Sequence, residues 1–353
     1  MSSNTARIVS IGTATPSARL PRDAWLTLAG QIAPSDVSRA LLARLADRSE
    51  IDGRAAAALD PPLYSAGTVP GTAARMQLWS RTARAMAHDA CAAAIADAQI
   101  EPRAITHVVT ASCTGFESPG VDAHLIESLG LARGVARTNI GFMGCHAAVN
   151  ALAAARNAAI ADPAAQVLVC CAEVCSAHFH HSARVDQLVA NTLFGDGAAA
   201  AIVRGGAHGH DDAAPALAAT HSVLLADTAD EMRWTIGDHG FEMTLGARVP
   251  DVLRAEVGAW VASSLATHGL AIGDVGAWAI HPGGPRVIDS VVASLGIPAE
   301  AGDASRAVLR AHGNMSSATL LFILDRLRKS RAPRPWVGLA FGPGLVGEMV
   351  LVR

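Results

Sequence analysis

Lysine is almost missing from this sequence: Lys329 stands alone among 28 basic residues. A P-loop needs a lysine behind its glycines, and Lys329 follows Arg328, so that nucleotide signature is absent. The arginine bias, with abundant alanine, points to a high-GC bacterial genome. Net charge is only −3, which gives no polyelectrolyte signal for nucleic acid. No apolar run is long enough to span a membrane, so no membrane partner is expected. The polar start, Met1-Ser-Ser-Asn-Thr-Ala-Arg7, leads straight into a strand-like segment and shows no signal peptide. Six cysteines (91, 113, 145, 170, 171 and 175) form no disulfide framework and no CxxC metal pair. A reducing cytoplasm suits them best.

What remains is an ordinary globular composition, 51% hydrophobic and 17% charged over 353 residues. That length holds two average domains or one large layered unit. Short apolar runs alternate with alanine-rich helical stretches. Residues 7–11, 105–111, 167–172 and 198–203 read as strands in the first half; 277–280, 336–341 and 349–352 do so in the second. Such alternation predicts α/β layering. The Gly- and His-rich run Gly205–Pro215 reads as a surface loop between the halves 1–205 and 216–353. Two histidine patches, His178-Phe-His180-His181 and His208-Gly-His210-Asp211-Asp212, offer metal-ligand types without a complementary second pair, so no metal is expected.

Three residues carry chemistry. Cys145, in Thr138-Asn-Ile-Gly-Phe-Met-Gly-Cys145-His-Ala, is delivered by glycines to the first turn of a helix expected over 146–161. Unpaired N–H groups and the positive dipole end favour a thiolate there, hence a nucleophile toward an acyl group. His281, in Trp278-Ala-Ile-His281-Pro-Gly-Gly-Pro285, stands where a strand breaks into a turn. Asn314, in His312-Gly-Asn314-Met-Ser-Ser-Ala318, precedes an apolar helix over 318–327. Alone, each has an ordinary reading: a buried cysteine, a core histidine, an N-cap asparagine. Together they read as groups converging at one end of a sheet.

These residues and their flanks resemble the type III polyketide synthases, the chalcone-synthase-like branch of the thiolase superfamily. Gly144-Cys145, Leu193-Phe-Gly-Asp-Gly197, His281-Pro-Gly-Gly-Pro285, Gly313-Asn-Met-Ser-Ser317 and Phe341-Gly-Pro-Gly-Leu345 match family signatures in order, and the likeness runs from Arg7 to Val352. The resemblance implies a five-layered αβαβα core of two similar halves, and a homodimer. It implies coenzyme A thioesters as substrates, an acyl-CoA starter and malonyl-CoA extender, with no redox cofactor or metal. Cys145 would hold the starter as a thioester. His281 would keep Cys145 as a thiolate through an ion pair. His281 and Asn314 would then donate to the malonyl carbonyl as charge develops on loss of CO2. Backbone N–H groups at Cys145 and near Ser316 are candidate oxyanion donors.

The resemblance also places Phe194 as an aromatic gate, Met243 where plant members carry a second gating phenylalanine, and Cys113 on a cavity position usually occupied by Thr. It brings His178 near a cavity wall and sets Ser118 where plant members carry a bulkier residue. Arg44 and Arg48 match phosphate-holding basic residues, and arginine–phosphate pairing suits them. A ketoacyl-ACP synthase III-like single-condensation or acyl-transfer enzyme is the alternative, although His281-Pro-Gly-Gly-Pro285 departs from the His-Gln pattern of that branch. A non-catalytic partner subunit would not need the intact trio.

Overall fold

The computed structural model describes residues 5–32, 35–59, 62–64, 69–208 and 214–353. The second histidine patch, from the His208 side chain through residue 212, lies outside them.

The first half supplies strands β1 (Arg7–Ala14), β2 (Arg19–Pro21), β3 (Gly53–Ala55), β4 (His107–Ser112), β5 (Ala136–Gly141), β6 (Gln166–Val174) and β7 (Asp196–Arg204). Five of them form a mixed sheet in the order β1-β7-β6-β4-β5, while β2 and β3 pair apart. β4 runs parallel to β5 and β6; β7 runs antiparallel to β6 and β1. The second half supplies β8 (Leu217–Leu224), β9 (Met232–Gly237), β10 (Gly240–Leu245), β11 (Ala277–Ile280), β12 (Trp336–Gly342) and β13 (Val346–Val352). Its sheet has the order β11-β12-β13-β8, and β9 and β10 form a separate hairpin.

Helices cover both sheets and fill the space between them. In chain order they are α1 (Arg22–Ile32), α2 (Asp36–Arg48), α3 (Thr72–Asp97), α4 (Val121–Ser128), α5 (Ala147–Ala161), α6 (Val185–Leu193), α7 (Val249–Ala266), α8 (Pro285–Leu295), α9 (Asp303–His312) and α10 (Ala318–Lys329). Strand periodicity sorts the layers. On β6, Leu168, Cys170 and Ala172 pack with Leu78, Met86 and Ala90 of α3 on the outer face. Val167, Val169 and Cys171 point the other way, into a core shared with Ala151 of α5 and Leu320 of α10. All of β6 is buried, as expected of a strand covered on both faces. The second sheet repeats this: Val337 and Leu339 join α7 and α8, whereas Trp336 and Ala340 join the central layer. Alanine suits α5, since it favours helix and lets a helix lie close between two sheets. The result is the expected αβαβα stack.

Two departures from the sequence reading have physical causes. β5 was hidden because its Ala136–Gly141 run is polar and mostly exposed, an edge strand with no apolar alternation. The half-exposed β8 and the β9–β10 hairpin were hidden likewise. Gly342-Pro-Gly-Leu-Val-Gly347 has GxGxxG spacing, yet it is the turn of the antiparallel β12–β13 hairpin, closing at Gly342↔Val346. No helix follows, so a pyrophosphate would meet no helix N-terminus.

Candidate active site

Cys145 is set by its glycine. Gly144 adopts φ +92°, and a Cβ there would stand 2.5 Å from Pro343 Cδ. This turn places Cys145 just ahead of His146, the N-cap of α5, one residue outside the helix rather than in its first turn. Asn314 is set in the same way. α9 ends at Gly313 with φ +70°, where a Cβ would approach the Leu193 carbonyl to 2.8 Å. Asn314 N–H then donates to Leu193 O, and Gly195 N–H donates to Asn314 O, each at 2.9 Å. These bonds tie the Phe194 segment to Asn314.

The side chains meet at the thiol. The Ser316 and Asn314 side chains both act on the Cys145 sulfur in the sense that favours its charged form. Asn314 Oδ1 accepts from Ser316 N–H at 2.8 Å, which leaves Asn314 Nδ2 as the donor toward the sulfur. The same bond occupies the Ser316 N–H, so that candidate oxyanion donor is already committed. Ser316 Oγ also lies 2.9 Å from Cys113 Sγ.

Burial works against the expected thiolate. Burial pushes the Cys145 thiol up to about 11, against the opposing pull of Ser316 and Asn314. His281, one residue past β11, anchors its N–H on Leu339 O at 2.7 Å. Burial, followed by the charge of nearby His146, drives its imidazole down to about 3. Both ring nitrogens are buried without a hydrogen-bond partner. Burial thus works against the charged form of both groups. Desolvation outweighs the helix end here. Two unpaired buried ring nitrogens are rare in a folded protein and fit a group that awaits a ligand.

A narrow cavity opens on Cys145 and is also lined by Cys113, His178, Phe194, Met243 and Ser316. Six residues proposed from sequence thus meet in one cavity, and Asn314 reaches it through the thiol. Arg44 and Arg48 lie elsewhere, exposed one turn apart on α2, and neither joins an ion pair among the described residues. Ser118 is exposed and does not line the cavity.

Sequence reasoning missed several walls. Trp234 donates its Nε1–H to Cys113 O at 2.7 Å and, with Met232, brings the β9–β10 hairpin over the cavity. Glu173 is fully buried, accepting from Cys113 N–H at 3.2 and 3.1 Å and from Thr114 Oγ1 at 2.6 Å. Ser317 Oγ also donates to it. A lone carboxylate in the apolar run Gln166–Val174 was the legible signal for it. His178 stacks on Phe241 with centroids 4.3 Å apart. It donates from Nε2 to Thr114 O at 2.6 Å and accepts at Nδ1 from Phe241 N–H at 2.9 Å. Both nitrogens are engaged, so this histidine is a wall. Among the described residues, no cluster of three or more His, Cys, Asp or Glu could hold a metal.

A cysteine ahead of one central helix that meets an asparagine ahead of the other, within this layered stack, fits a thiolase-fold condensing enzyme. The chain belongs to the type III polyketide synthases: the family described as chalcone and stilbene synthases matches with its N-terminal domain over residues 1–207 and its C-terminal domain over 216–353. The 1,3,6,8-tetrahydroxynaphthalene synthase of Streptomyces peucetius is 36% identical over 279 residues, covering 78% of this chain and 74% of the relative. The alpha-pyrone synthesis polyketide synthase-like Pks18 of Mycobacterium tuberculosis is 36% identical over 284 residues, covering 78% and 72%. The crystal structure of PKS-I from the brown alga Ectocarpus siliculosus superposes with a TM-score of 0.94 at 28% identity, covering 100% of this chain and 99% of that one. The protein is therefore a condensing enzyme of the acyltransferase type.

Proposed function

We propose that Cys145 takes an acyl starter from acyl-CoA and that His281 and Asn314 drive decarboxylation of malonyl-CoA for its extension. The observation that carries this is the pair of unpartnered His281 nitrogens in a site where Asn314 Nδ2 already donates toward Cys145. His281 takes the Cys145 proton as sulfur attacks the starter carbonyl, then returns it to the departing coenzyme A thiolate. The neutral ring and Asn314 next donate to the malonyl thioester oxygen. CO2 leaves, the enolate carbon attacks the acyl-cysteine carbonyl, and Cys145 is released as the new bond forms. These steps call for no metal or redox cofactor. Incubation with malonyl-CoA and a panel of acyl-CoA starters tests the reading, with mass spectrometry of the products and of the Cys145 peptide. Absence of any acyl-Cys145 adduct across the panel would refute it.

The starter is read from the walls. His178, Trp234 and Phe241 form one aromatic cluster, which leaves little room for a rigid phenylpropanoid beside Met232 and Met243. Methionine adapts to flexible apolar chains. A flexible acyl starter fits best, and Met243→Phe is expected to lower kcat/KM for longer acyl-CoA starters more than for acetyl-CoA. A chain-length series in both enzymes checks it; equal loss for all starters would overturn it. Arg44 and Arg48 supply cations for the coenzyme A phosphates.

The exposed edge strand β5 supports a homodimer, with Phe116 at 51% and Met143 at 42% exposure beside it. A second copy would pair this edge and cover that apolar surface. Light scattering at micromolar concentration is expected to give a dimer, and a strict monomer would count against it. Two thiolase-like halves, 1–205 and 216–353, in a bacterial cytoplasm complete the reading. No helix of the described residues is long and apolar enough to cross a membrane.

A further inference from the structure

His146, the residue after the nucleophile, is 1% exposed and takes part in no step above. Its Nδ1 lies 3.0 Å from Asn150 Oδ1, one turn along α5. Asn150 Nδ2 donates at 3.0 Å to Glu348 Oε1 on β13, and Ser222 Oγ of β8 donates to the same oxygen at 2.8 Å. The order of these bonds fixes the protons. An ionised carboxylate only accepts, so Glu348 turns the Asn150 amide with its nitrogen outward and its oxygen toward His146. That oxygen in turn requires a proton on His146 Nδ1 and leaves Nε2 as a bare lone pair. Burial holds the ring below its ordinary pKa, with Asn150 and then Glu348 opposing.

The other edge of the ring meets the turn after β12. A Cβ at Gly342 would stand 2.4 Å from His146 Cδ2 and 3.0 Å from Nε2, so the ring fits only against glycine. The next residue, Pro343, lines the cavity and packs on Gly144. The ring therefore stands between the nucleophile's helix and the cavity wall. His146 also lies close enough to His281 to disfavour a proton there.

We propose that His146 is a positioning residue of the condensation: the Glu348–Asn150 line holds its ring as a spacer, so that Cys145, the Gly342–Pro343 turn and His281 keep one separation. The proposal rests on the roles given above to Cys145 and His281. A misplacement of about 1 Å can cost on the order of 10²-fold in rate, so a spacer has leverage without touching substrate. Its ring is bordered by three titratable groups: Glu348, His281 and Cys145.

The test uses His146→Phe, which keeps ring bulk, Glu348→Gln, which keeps shape, and their double variant in the full chain. Each single change is expected to lower kcat for condensation by roughly ten- to a hundredfold. KM for malonyl-CoA should stay within about twofold, since ground-state binding is not the target. The double variant should be no slower than the worse single one, because both act through one hydrogen-bonded line. A purely structural loss would instead raise KM and lower thermal stability together with kcat.

Wild-type kcat in His146→Phe would overturn the proposal, as would additive losses in the double variant. Should His146→Phe fail to fold, Glu348→Gln and His146→Gln carry the same readouts. Cys145→Ala measured alongside separates the two claims. Condensation surviving there sinks the nucleophile assignment, while its loss beside an indifferent His146→Phe sinks only the spacer.

Discussion

Cys145→Ala is expected to abolish polyketide formation, by on the order of 10⁴-fold or more, as loss of a nucleophile does in enzymes that act through a covalent intermediate. The fold should survive. One buried sulfur is removed, worth about 1 kcal/mol of packing, and no disulfide depends on it because every cysteine is free. Thermal unfolding and product analysis separate the two effects. Iodoacetamide should label Cys145 ahead of Cys170 and Cys171: the first lines an open cavity, whereas the other two are sealed in β6, where burial helps hold both thiols well above the ordinary range. Normal turnover in the alanine variant would end the assignment.

His281→Ala and Asn314→Ala should each slow malonyl-CoA decarboxylation by about 10²–10³-fold, the usual loss for one preorganised donor to a developing oxyanion. The two should differ at the first step. His281→Ala also removes the group that receives the Cys145 proton, so starter loading should fall with it. Because the thiol is held up to about 11, loading in that variant should recover only as pH rises toward that value. Asn314→Ala should load more nearly as wild type does, although Gly195 and Leu193 keep only its backbone in place. Acetyl-CoA release measures decarboxylation, and the acyl-Cys145 peptide measures loading. Wild-type decarboxylation in either variant would refute the donor role.

The layered fold was legible where strands are buried on both faces, as in β6 and β7, because an unbroken apolar run between helices fits little but a strand with a core on each side. The edge strand β5 and the β9–β10 hairpin were not, since exposed strands carry polar residues and lose the pattern. Cys145, His281 and Asn314 were legible through the glycine and proline turns that aim them. The charge state of the site was not. A helix end beside a cysteine argues for a thiolate, and only the packing around Cys145 shows how strongly burial opposes it. Trp234 escaped because nothing local says that a hairpin residue folds back to hydrogen-bond Cys113. The Glu348–Asn150–His146 line escaped for a similar reason: its members come from α5 and β13 and meet only in the central layer.

The β9–β10 hairpin pairs with neither large sheet, yet it supplies Met232, Trp234 and Met243 to the cavity. The side chains proposed for catalysis come from other elements, just ahead of α5 and α10 and at the end of β11. Shape and chemistry are therefore inherited separately in this molecule. A change of bulk on the hairpin is absorbed locally and redraws the space offered to a growing chain, while the bonds around Cys145 stay as they are. Such a division gives a lineage room to diversify its products by drift at a few hairpin positions, without passing through inactive ancestors.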